Sequence, residues 1–377
     1  MPKILFTAST YSHIVQFHRP YLSAFRALGW TVDVACGGAP MEIPEAHRTI
    51  HLDFEKQMLS PRNGRALRQL RRTMRETAYD VVSCHTALAS FFTRLAVNGG
   101  KQRPKVVCTV HGYLFGENNP AAKGLILQAA EKLVASRTDL LMTMNRWDTQ
   151  YAAAHRLGKK MVEIPGVGLD PSRLPPISRE EASALRRQWG IGETDILLLY
   201  AAEFSGRKSQ QVLLRALAQL PPQVKLALPG QGALLEECVA LARSLGIEQR
   251  VIFPGQVARM AQWYGAADIA VSASRSEGLP FNIMEAMYYG LPVVASAVKG
   301  HTDLLVPDTC GLLYPYGDWQ ACAAQLQKLL QSPEERERMG RQGRQSVGGY
   351  CLDQVLPIIM AQYEALIPLR DETITHT

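Results

Sequence analysis

The sequence predicts an α/β protein with two doubly wound parallel-sheet domains, and three observations support this fold. Short apolar runs alternate with helical stretches along most of the 377 residues, as in βαβ units. Residues 164–176, which contain Gly166, Gly168 and four prolines, interrupt the alternation near the middle of the chain. The alternation then begins again, and a chain of this length can form two cores.

The first half predicts a domain over residues 1–168. A helix over residues 18–28 is expected to end at Gly29, because glycine readily adopts the backbone conformation that stops a helix. The predicted strands are residues 3–8, 30–36, 81–84 and 106–110.

The second half predicts a domain over residues 169–351, followed by a C-terminal helix, 352–377, that packs back on the first domain. A helix over residues 333–345 is rich in charge and is expected to lie on the solvated surface. The other predicted helices are 210–218 and 234–245, and the predicted strands are 196–200, 225–228, 251–253, 267–272 and 293–295.

Composition favours a cytoplasmic protein. No apolar stretch approaches the ~20 residues that span a bilayer, and the first ten residues predict a strand, not a signal peptide. The seven cysteines form no C-x-x-C pair, so we expect free thiols in a reducing compartment.

Positive charge is concentrated in the first half. Residues 1–165 contain 22 Lys and Arg against 12 Asp and Glu, whereas residues 166–377 contain 19 against 22. Six arginines recur between Arg62 and Arg75, with Leu67, Leu70 and Met74 between them. Such a helix predicts either peripheral contact with an anionic membrane or a solvated face, and no nucleic-acid motif accompanies it.

The most informative segment is residues 272–303. Glu277 and Glu285 stand eight residues apart, on either side of a turn that opens a helix after a strand. The start of a helix attracts phosphate, and carboxylates accept hydrogen bonds from sugar hydroxyls. The segment therefore predicts a site for a phosphorylated sugar. For either glutamate considered alone, the simpler interpretation is a helix cap or an exposed surface residue.

This segment resembles the nucleotide-binding signature of retaining GT-B glycosyltransferases of the glycosyltransferase 4 type, which include the bacterial capsule and exopolysaccharide enzymes. The matching residues are Ser274, Arg275, Glu277, Gly278, Glu285, Ala286, Met287, Gly290, Pro292, Val293, Val294 and Ala295. The resemblance implies two Rossmann-like domains that face a cleft. It also implies that Glu277 holds the donor sugar, that Glu285 holds the ribose, and that Gly278, Leu279, Pro280, Phe281 and Asn282 bind the donor phosphate.

A basic pair, Arg207 and Lys208, precedes another predicted helix and suits a diphosphate. The family commonly has an Arg in a G-R-L string and a Lys a few residues later. Here Ala202-Glu203-Phe204 replaces that string, so Arg207 is expected to substitute for the missing Arg. Exposed surface cations are the alternative.

Residues 229–232 and 251–255 resemble the family segments that flank the nucleotide, and the second of these is expected to contact the base.

Three histidines in the first half complete the candidate site. His111 follows a predicted strand and precedes Gly112, and the resemblance implies that it faces the donor sugar. His13, in a predicted loop at residues 10–13, and His18 either face the acceptor or are ordinary polar residues. Residues 17–22 and 109–112 are similar to capsule and exopolysaccharide enzymes, which implies a lipid-linked or oligosaccharide acceptor.

We therefore expect a glycosyltransferase that moves a hexose or N-acetylhexosamine from a nucleotide sugar, with UDP the favoured nucleotide. No D-x-D, H-E-x-x-H or paired Cys/His spacing occurs, so no metal and no cofactor is predicted. A sugar-nucleotide epimerase of the same fold and a non-catalytic nucleotide-sugar binding protein are the alternatives.

Overall fold

The computed structural model describes residues 1–367 except 56, 59, 99–102 and 117. The described chain forms two compact units. The first contains Met1–Gly168 and residues 353–367, and the second contains Leu169–Leu352.

The first unit contains a parallel sheet of seven strands in the order β3-β2-β1-β4-β5-β6-β7. Its central strands are buried on both faces and are mostly apolar, as expected when helices cover both sides of a parallel sheet. The strands are β1 (Lys3–Ala8), β2 (Thr31–Cys36), β3 (Arg48–His51), β4 (Val81–His85), β5 (Lys105–Val110), β6 (Leu140–Thr143) and β7 (Lys160–Glu163).

The helices that surround this sheet come mainly from the connections between its strands. They are α1 (Tyr11–Phe17), α2 (Arg19–Ala27), α3 (Pro61–Glu76), α4 (Ala87–Ala96), α5 (Ala121–Val134), α6 (Arg146–His155) and, from the C-terminal region, α15 (Leu352–Leu366). The α15 helix contributes Tyr363, whose ring packs at 5.1 Å from that of Phe25 and whose hydroxyl lies 2.6 Å from Ser83 Oγ. The predicted extension of this helix over residues 368–377 lies outside the described residues.

The second unit contains a parallel sheet of six strands in the order β10-β9-β8-β11-β12-β13. The strands are β8 (Ile196–Leu199), β9 (Val224–Ala227), β10 (Val251–Ile252), β11 (Ile269–Ser272), β12 (Val293–Ser296) and β13 (Gly311–Tyr314). Its helices are α7 (Arg179–Gln188), α8 (Gln210–Leu217), α9 (Leu235–Ser244), α10 (Met260–Ala266), α11 (Phe281–Tyr288), α12 (His301–Leu304), α13 (Trp319–Gln331) and α14 (Pro333–Ser346).

The predicted loop at residues 10–13 is wrong, because these residues begin α1. The Thr10 side chain accepts a hydrogen bond from the His13 backbone N–H at 3.4 Å and so caps the helix. His13 is therefore held on a helix and not on a loop.

The predicted surface helix 333–345 forms as α14, but one face of it is buried. Met339, Gly340 and Gly343 lie inside. A Cβ at Gly340 would overlap the Gly290 carbonyl, so the helix backbone packs directly on the turn after α11.

The arginine-rich segment forms α3, and its two faces separate as the sequence predicts. Leu70 is buried in the core of the first unit, and Leu67 and Met74 pack against that core. The six arginines are exposed. The apolar strip is therefore covered by the unit itself, and the exposed face carries the arginines, three of which form ion pairs with Glu55, Asp53 and Glu76.

No helix among the described residues is long and apolar enough to span a membrane. All seven cysteines are buried and free.

Candidate functional site

Polar side chains gather where the strand order of the second sheet reverses. The chain continues from β8 to β9 and β10 on one side, and it later returns as β11 on the other side of β8. Open α/β sheets bind ligands at the carboxyl ends of their strands at such a point. The segment after β8 carries Arg207 and Lys208, and the segment after β11 carries Glu277.

Glu277 binds both cations of the predicted basic pair. Its Oε2 accepts a hydrogen bond from Arg207 Nη1 at 2.7 Å, and its Oε1 accepts one from Lys208 Nζ at 2.6 Å. The side chain of Arg207 is 35% exposed, against 12% for Lys208 and 9% for Glu277. The structure thus brings the three residues together as a mostly buried group with one net positive charge. The expected role of Glu277 on the donor sugar stays a prediction.

Electrostatics keep this carboxylate ionised. Burial would raise the pKa of Glu277, but the charges of Lys208 and Arg207 outweigh burial and hold that pKa at about 2. Glu285 shows the opposite balance, because burial raises its pKa against the hydrogen bond from Tyr264 and the charge of Arg173. The two glutamates of the signature therefore sit in different electrostatic environments.

Hydrogen bonds hold the backbone segments that carry the two cations and Glu277 in place. The buried Tyr200 hydroxyl donates to the Lys208 carbonyl at 3.1 Å and lies 2.8 Å from Ser274 Oγ. The Arg275 N–H donates to the Arg207 carbonyl at 2.7 Å. These contacts join the two segments, so the cations are held in place before any ligand binds.

Arg275 is a third cation in this region that the sequence analysis did not assign to the site. Its Nε is buried and has no hydrogen-bond partner among the described residues. A buried donor without an acceptor is costly unless a ligand or water supplies one. The Ser-Arg of the matching signature was the signal that could have identified it.

The predicted phosphate segment begins α11. Gly278, Leu279 and Pro280 are buried, whereas Phe281 and Asn282 are half-buried. The Asn282 Nδ2 donates to the Ala201 carbonyl at 3.1 Å, so the start of the helix is attached to the segment after β8.

Glu285 lies one turn further along α11. Its Oε2 accepts a hydrogen bond from the Tyr264 hydroxyl at 2.7 Å. Tyr264, which comes from α10, was not among the residues predicted from the sequence. This contact fixes one carboxylate oxygen, and the expected role of Glu285 on a ribose stays a prediction.

The glycines of residues 229–232 allow a close backbone approach. A Cβ at Gly230 would overlap the Ala202 carbonyl, and one at Gly232 would overlap the Phe204 carbonyl. The loop therefore packs against the backbone that leads to Arg207. The Gly255 carbonyl accepts from the Gly230 N–H at 2.8 Å, so that carbonyl of the predicted base-binding segment already has a partner.

His301 is a further buried residue that the sequence analysis did not single out. Its Nδ1 lies 2.7 Å from the Ser296 carbonyl, and its Nε2 lies 3.2 Å from Ser272 Oγ. Burial lowers the pKa of His301 to about 4, which the negative charge of Glu277 opposes. The ring therefore links the ends of β11 and β12 as a neutral imidazole.

The first unit gathers four histidines at the carboxyl ends of its central strands. His13 lies on α1, His18 precedes α2, His85 ends β4 and His111 follows β5. The strands β1, β4 and β5 are neighbours in the sheet, so the residues after them meet. His13, His18 and His111 were predicted site residues, whereas His85 was not predicted.

Ring nitrogens of this histidine cluster lie close together. The His13 Nε2 lies 3.3 Å from His18 Nε2 and 3.4 Å from His111 Nε2. The His111 Nε2 also lies 3.4 Å from His85 Nδ1. Burial lowers the pKa of His13 to about 4 and lowers those of the other three well below the usual range, with neighbouring imidazoles adding to the effect. The rings are therefore neutral at pH 7.

The comparisons with known proteins agree with this fold. Sucrose-phosphate synthase from Thermosynechococcus elongatus superposes with a TM-score of 0.81 at 22% identity, over 97% of this chain and 99% of that chain. HepE of Anabaena, in a structure with UDP-glucose, superposes with a TM-score of 0.80 at 21% identity, over 97% of this chain and 100% of that chain. The two parallel-sheet units are those of a GT-B protein.

The family follows from the sequence matches. Residues 181–346 match the family described as Glycosyl transferases group 1, and residues 21–173 match Glycosyltransferase Family 4. A relative named as a glycosyltransferase, EpsD of Bacillus subtilis (strain 168), is 32% identical over 349 residues. The match covers 91% of this chain and 91% of EpsD. The chain belongs to the glycosyltransferase 4 type of GT-B proteins and is a glycosyltransferase, as the sequence predicted.

Proposed function

We propose that the second unit binds a nucleoside diphosphate sugar, with UDP as the nucleotide. The observation that carries the proposal is the ion-pair group, in which Glu277 holds Arg207 and Lys208 at 2.7 and 2.6 Å where the strand order reverses. The HepE structure with UDP-glucose supports UDP as the nucleotide.

The same residues suit the departure of a diphosphate. As the bond to the sugar breaks, negative charge grows on the phosphate oxygens, and preorganised cations stabilise it best. Arg207 and Lys208 are preorganised by Glu277, and Arg275 adds a buried donor without a partner among the described residues. We propose a retaining reaction, in which the acceptor hydroxyl attacks from the side of the leaving group and a phosphate oxygen takes its proton.

We further propose that the acceptor is a saccharide, lipid-linked, in the synthesis of a bacterial surface polysaccharide. The resemblance of residues 17–22 and 109–112 to capsule and exopolysaccharide enzymes supports this class of acceptor. The exposed arginine face of α3 would bring the protein to an anionic membrane surface without a spanning helix, on the inner face of the cell membrane. His13, His18 and His111 belong to the unit that carries this face.

A donor screen tests the proposal. The purified protein is incubated with UDP-glucose, UDP-galactose, UDP-N-acetylglucosamine or GDP-mannose, together with a lipid extract of polysaccharide-producing cells, and the release of nucleoside diphosphate is measured. We expect release from one UDP-sugar that depends on the extract. The anomeric configuration of the purified product, read by NMR, tests retention. Release only from GDP-mannose would contradict the UDP assignment, and an inverted product would contradict the retaining mechanism.

A further inference from the structure

The histidine cluster of the first unit raises a hydrogen-bonding problem. Each ring nitrogen carries either one hydrogen or one lone pair, and it directs that group along a single line. The four nitrogens form a row, His18–His13–His111–His85, with contacts of 3.3, 3.4 and 3.4 Å. The two inner nitrogens would each have to serve two neighbours, so at most two of the three contacts can be linear hydrogen bonds.

A metal ion accounts for the two contacts of His13, because it accepts a lone pair from several nitrogens at once, and it leaves the 3.4 Å approach of His85 Nδ1 to His111 Nε2 as a van der Waals contact. One ring nitrogen from each of His13, His18 and His111 lies within 4.8 Å of the corresponding atoms of the other two. A tetrahedral zinc ion with Zn–N distances of about 2.0–2.1 Å sets its ligand nitrogens about 3.3–3.4 Å apart. The measured contacts of His13 with His18 and His111, 3.3 and 3.4 Å, match that separation.

The surroundings hold these rings in position. His18 is 1% exposed and His85 is 2% exposed, and their ring centroids lie 3.8 Å apart. The His85 ring stacks on that of Phe6, and its Nε2 lies 3.0 Å from Ser83 Oγ. Ser83 Oγ in turn lies 2.6 Å from the Tyr363 hydroxyl. The three candidate ligands thus lie on α1, before α2 and after β5, and His85 packs against the His18 ring.

We propose that His13, His18 and His111 form a binding site for one divalent transition-metal ion of the zinc class. An all-imidazole ligand set suits zinc, copper, nickel or iron and does not suit magnesium or calcium, which prefer oxygen ligands. Three protein ligands leave a fourth position for water or for an anionic oxygen. The proposal revises the expectation from sequence that no metal binds. It rests on the first unit only and is independent of the proposed donor site.

Zinc binding by the full chain, produced without a polyhistidine tag and stripped with chelator, tests this site. Isothermal titration with Zn²⁺ is expected to show one tight site per chain, and Co²⁺ is expected to give the strong visible absorption of four-coordinate cobalt. Titration with Mg²⁺ is expected to show no binding. Loss of an outer partner typically weakens metal binding by roughly 10–100-fold, so His13→Ala and His111→Ala, which each remove a ligand, should weaken Zn²⁺ binding more than that.

His155→Ala is the matched control, because His155 is an exposed histidine of the same unit whose Nδ1 lies 2.9 Å from the Tyr151 carbonyl. It should bind Zn²⁺ like the wild type. If His13→Ala does not fold, as judged by circular dichroism, His13→Gln tests the same loss of a ligand. UDP binding, measured in parallel on His13→Ala, His13→Gln and His155→Ala, reports on the second unit and should not change in these three variants. The proposal is wrong if the stripped wild type binds no Zn²⁺, or if the ligand variants bind it as tightly as His155→Ala.

Discussion

Lys208→Ala should reduce transfer strongly while the protein remains folded. Lys208 Nζ lies 2.6 Å from Glu277 Oε1, and its side chain is 12% exposed, so the charge is both fixed and partly shielded from water. A charged donor in such a position contributes about 2–4 kcal/mol to the stabilisation of charge that develops in a transition state. We therefore expect kcat/KM to fall by about 30-fold to about 1000-fold.

The assay is the rate of UDP release from the UDP-sugar identified by the screen, at a saturating concentration of acceptor extract. Lys225→Ala is the matched control, because Lys225 lies on β9 of the same unit and also forms an ion pair, 2.8 Å from Asp195. Isothermal titration with UDP separates loss of binding from loss of catalysis. Thermal unfolding shows whether removal of the partner of Glu277 destabilises the unit.

Two results would refute the reasoning. A kcat/KM within about threefold of the wild type would mean that Lys208 does not reach the developing charge, because a factor of 3 corresponds to less than about 1 kcal/mol. An equal loss of activity in Lys225→Ala would mean that any lost ion pair in this unit has the same effect. In either case the ion-pair group would stabilise the fold without acting on the donor.

The remaining predictions concern stability, metal ions and the membrane. Glu277→Gln should destabilise the second unit by about 3 kcal/mol at pH 7, which corresponds to the difference between the ordinary pKa of 4.5 and about 2. Because the pKa of Glu277 is lowered in the folded protein, this contribution to stability is present above pH 4.5 and is lost as the pH falls towards 2. The difference between the unfolding free energies of wild type and variant, measured in urea, should therefore shrink over that range. A difference that does not change with pH would mean that the ion pairs of Glu277 do not stabilise the unit. Added Mg²⁺ or Mn²⁺ should not raise the rate of transfer, because the diphosphate is expected to meet cationic side chains; a rate that depends on either ion would overturn this. The wild type should sediment with anionic liposomes at low salt and less so at high salt, since each arginine contributes about 1 kcal/mol near such a surface. Replacement by Gln of the α3 set Arg65, Arg68, Arg71 and Arg72 should weaken sedimentation more than replacement by Gln of the α14 set Arg336, Arg338, Arg341 and Arg344. Equal effects of the two sets would mean that α3 is only a solvated face.

The sequence predicted β1, β4 and β5 because of how parallel sheets are buried, but it missed β6, which is also buried. β1, β4 and β5 are covered on both faces, so nearly all of their residues are buried and apolar runs identify them. β3 and β7 are edge strands of the sheet with exposed residues, and their sequences, RTIH and KMVE, contain no such run. They were missed because a strand that pairs on one side and faces water needs little apolar character.

The residues of the ion-pair group and of the segment that begins α11 could be found from sequence because a short local pattern identifies each part. Residues 272–303 contain the whole signature, and Arg207 and Lys208 are adjacent in sequence. Their contact with Glu277 was not predictable in the same way, because it joins segments that are 69 and 70 residues apart. Only the pairing of β8 with β11 brings them together.

The histidine cluster shows where sequence reasoning could have gone further. His13 and His111 are 98 residues apart, and no local spacing joins them, so a search for metal-binding motifs finds nothing. His111 was identified because it follows an apolar strand, and parallel strands direct their carboxyl ends to one edge of the sheet. The same argument applies to His85, which ends the neighbouring strand β4, and to His13, which follows β1. The topology of the sheet therefore predicts a meeting point for these residues, and the identity of the side chains, all imidazoles, then predicts the chemistry there.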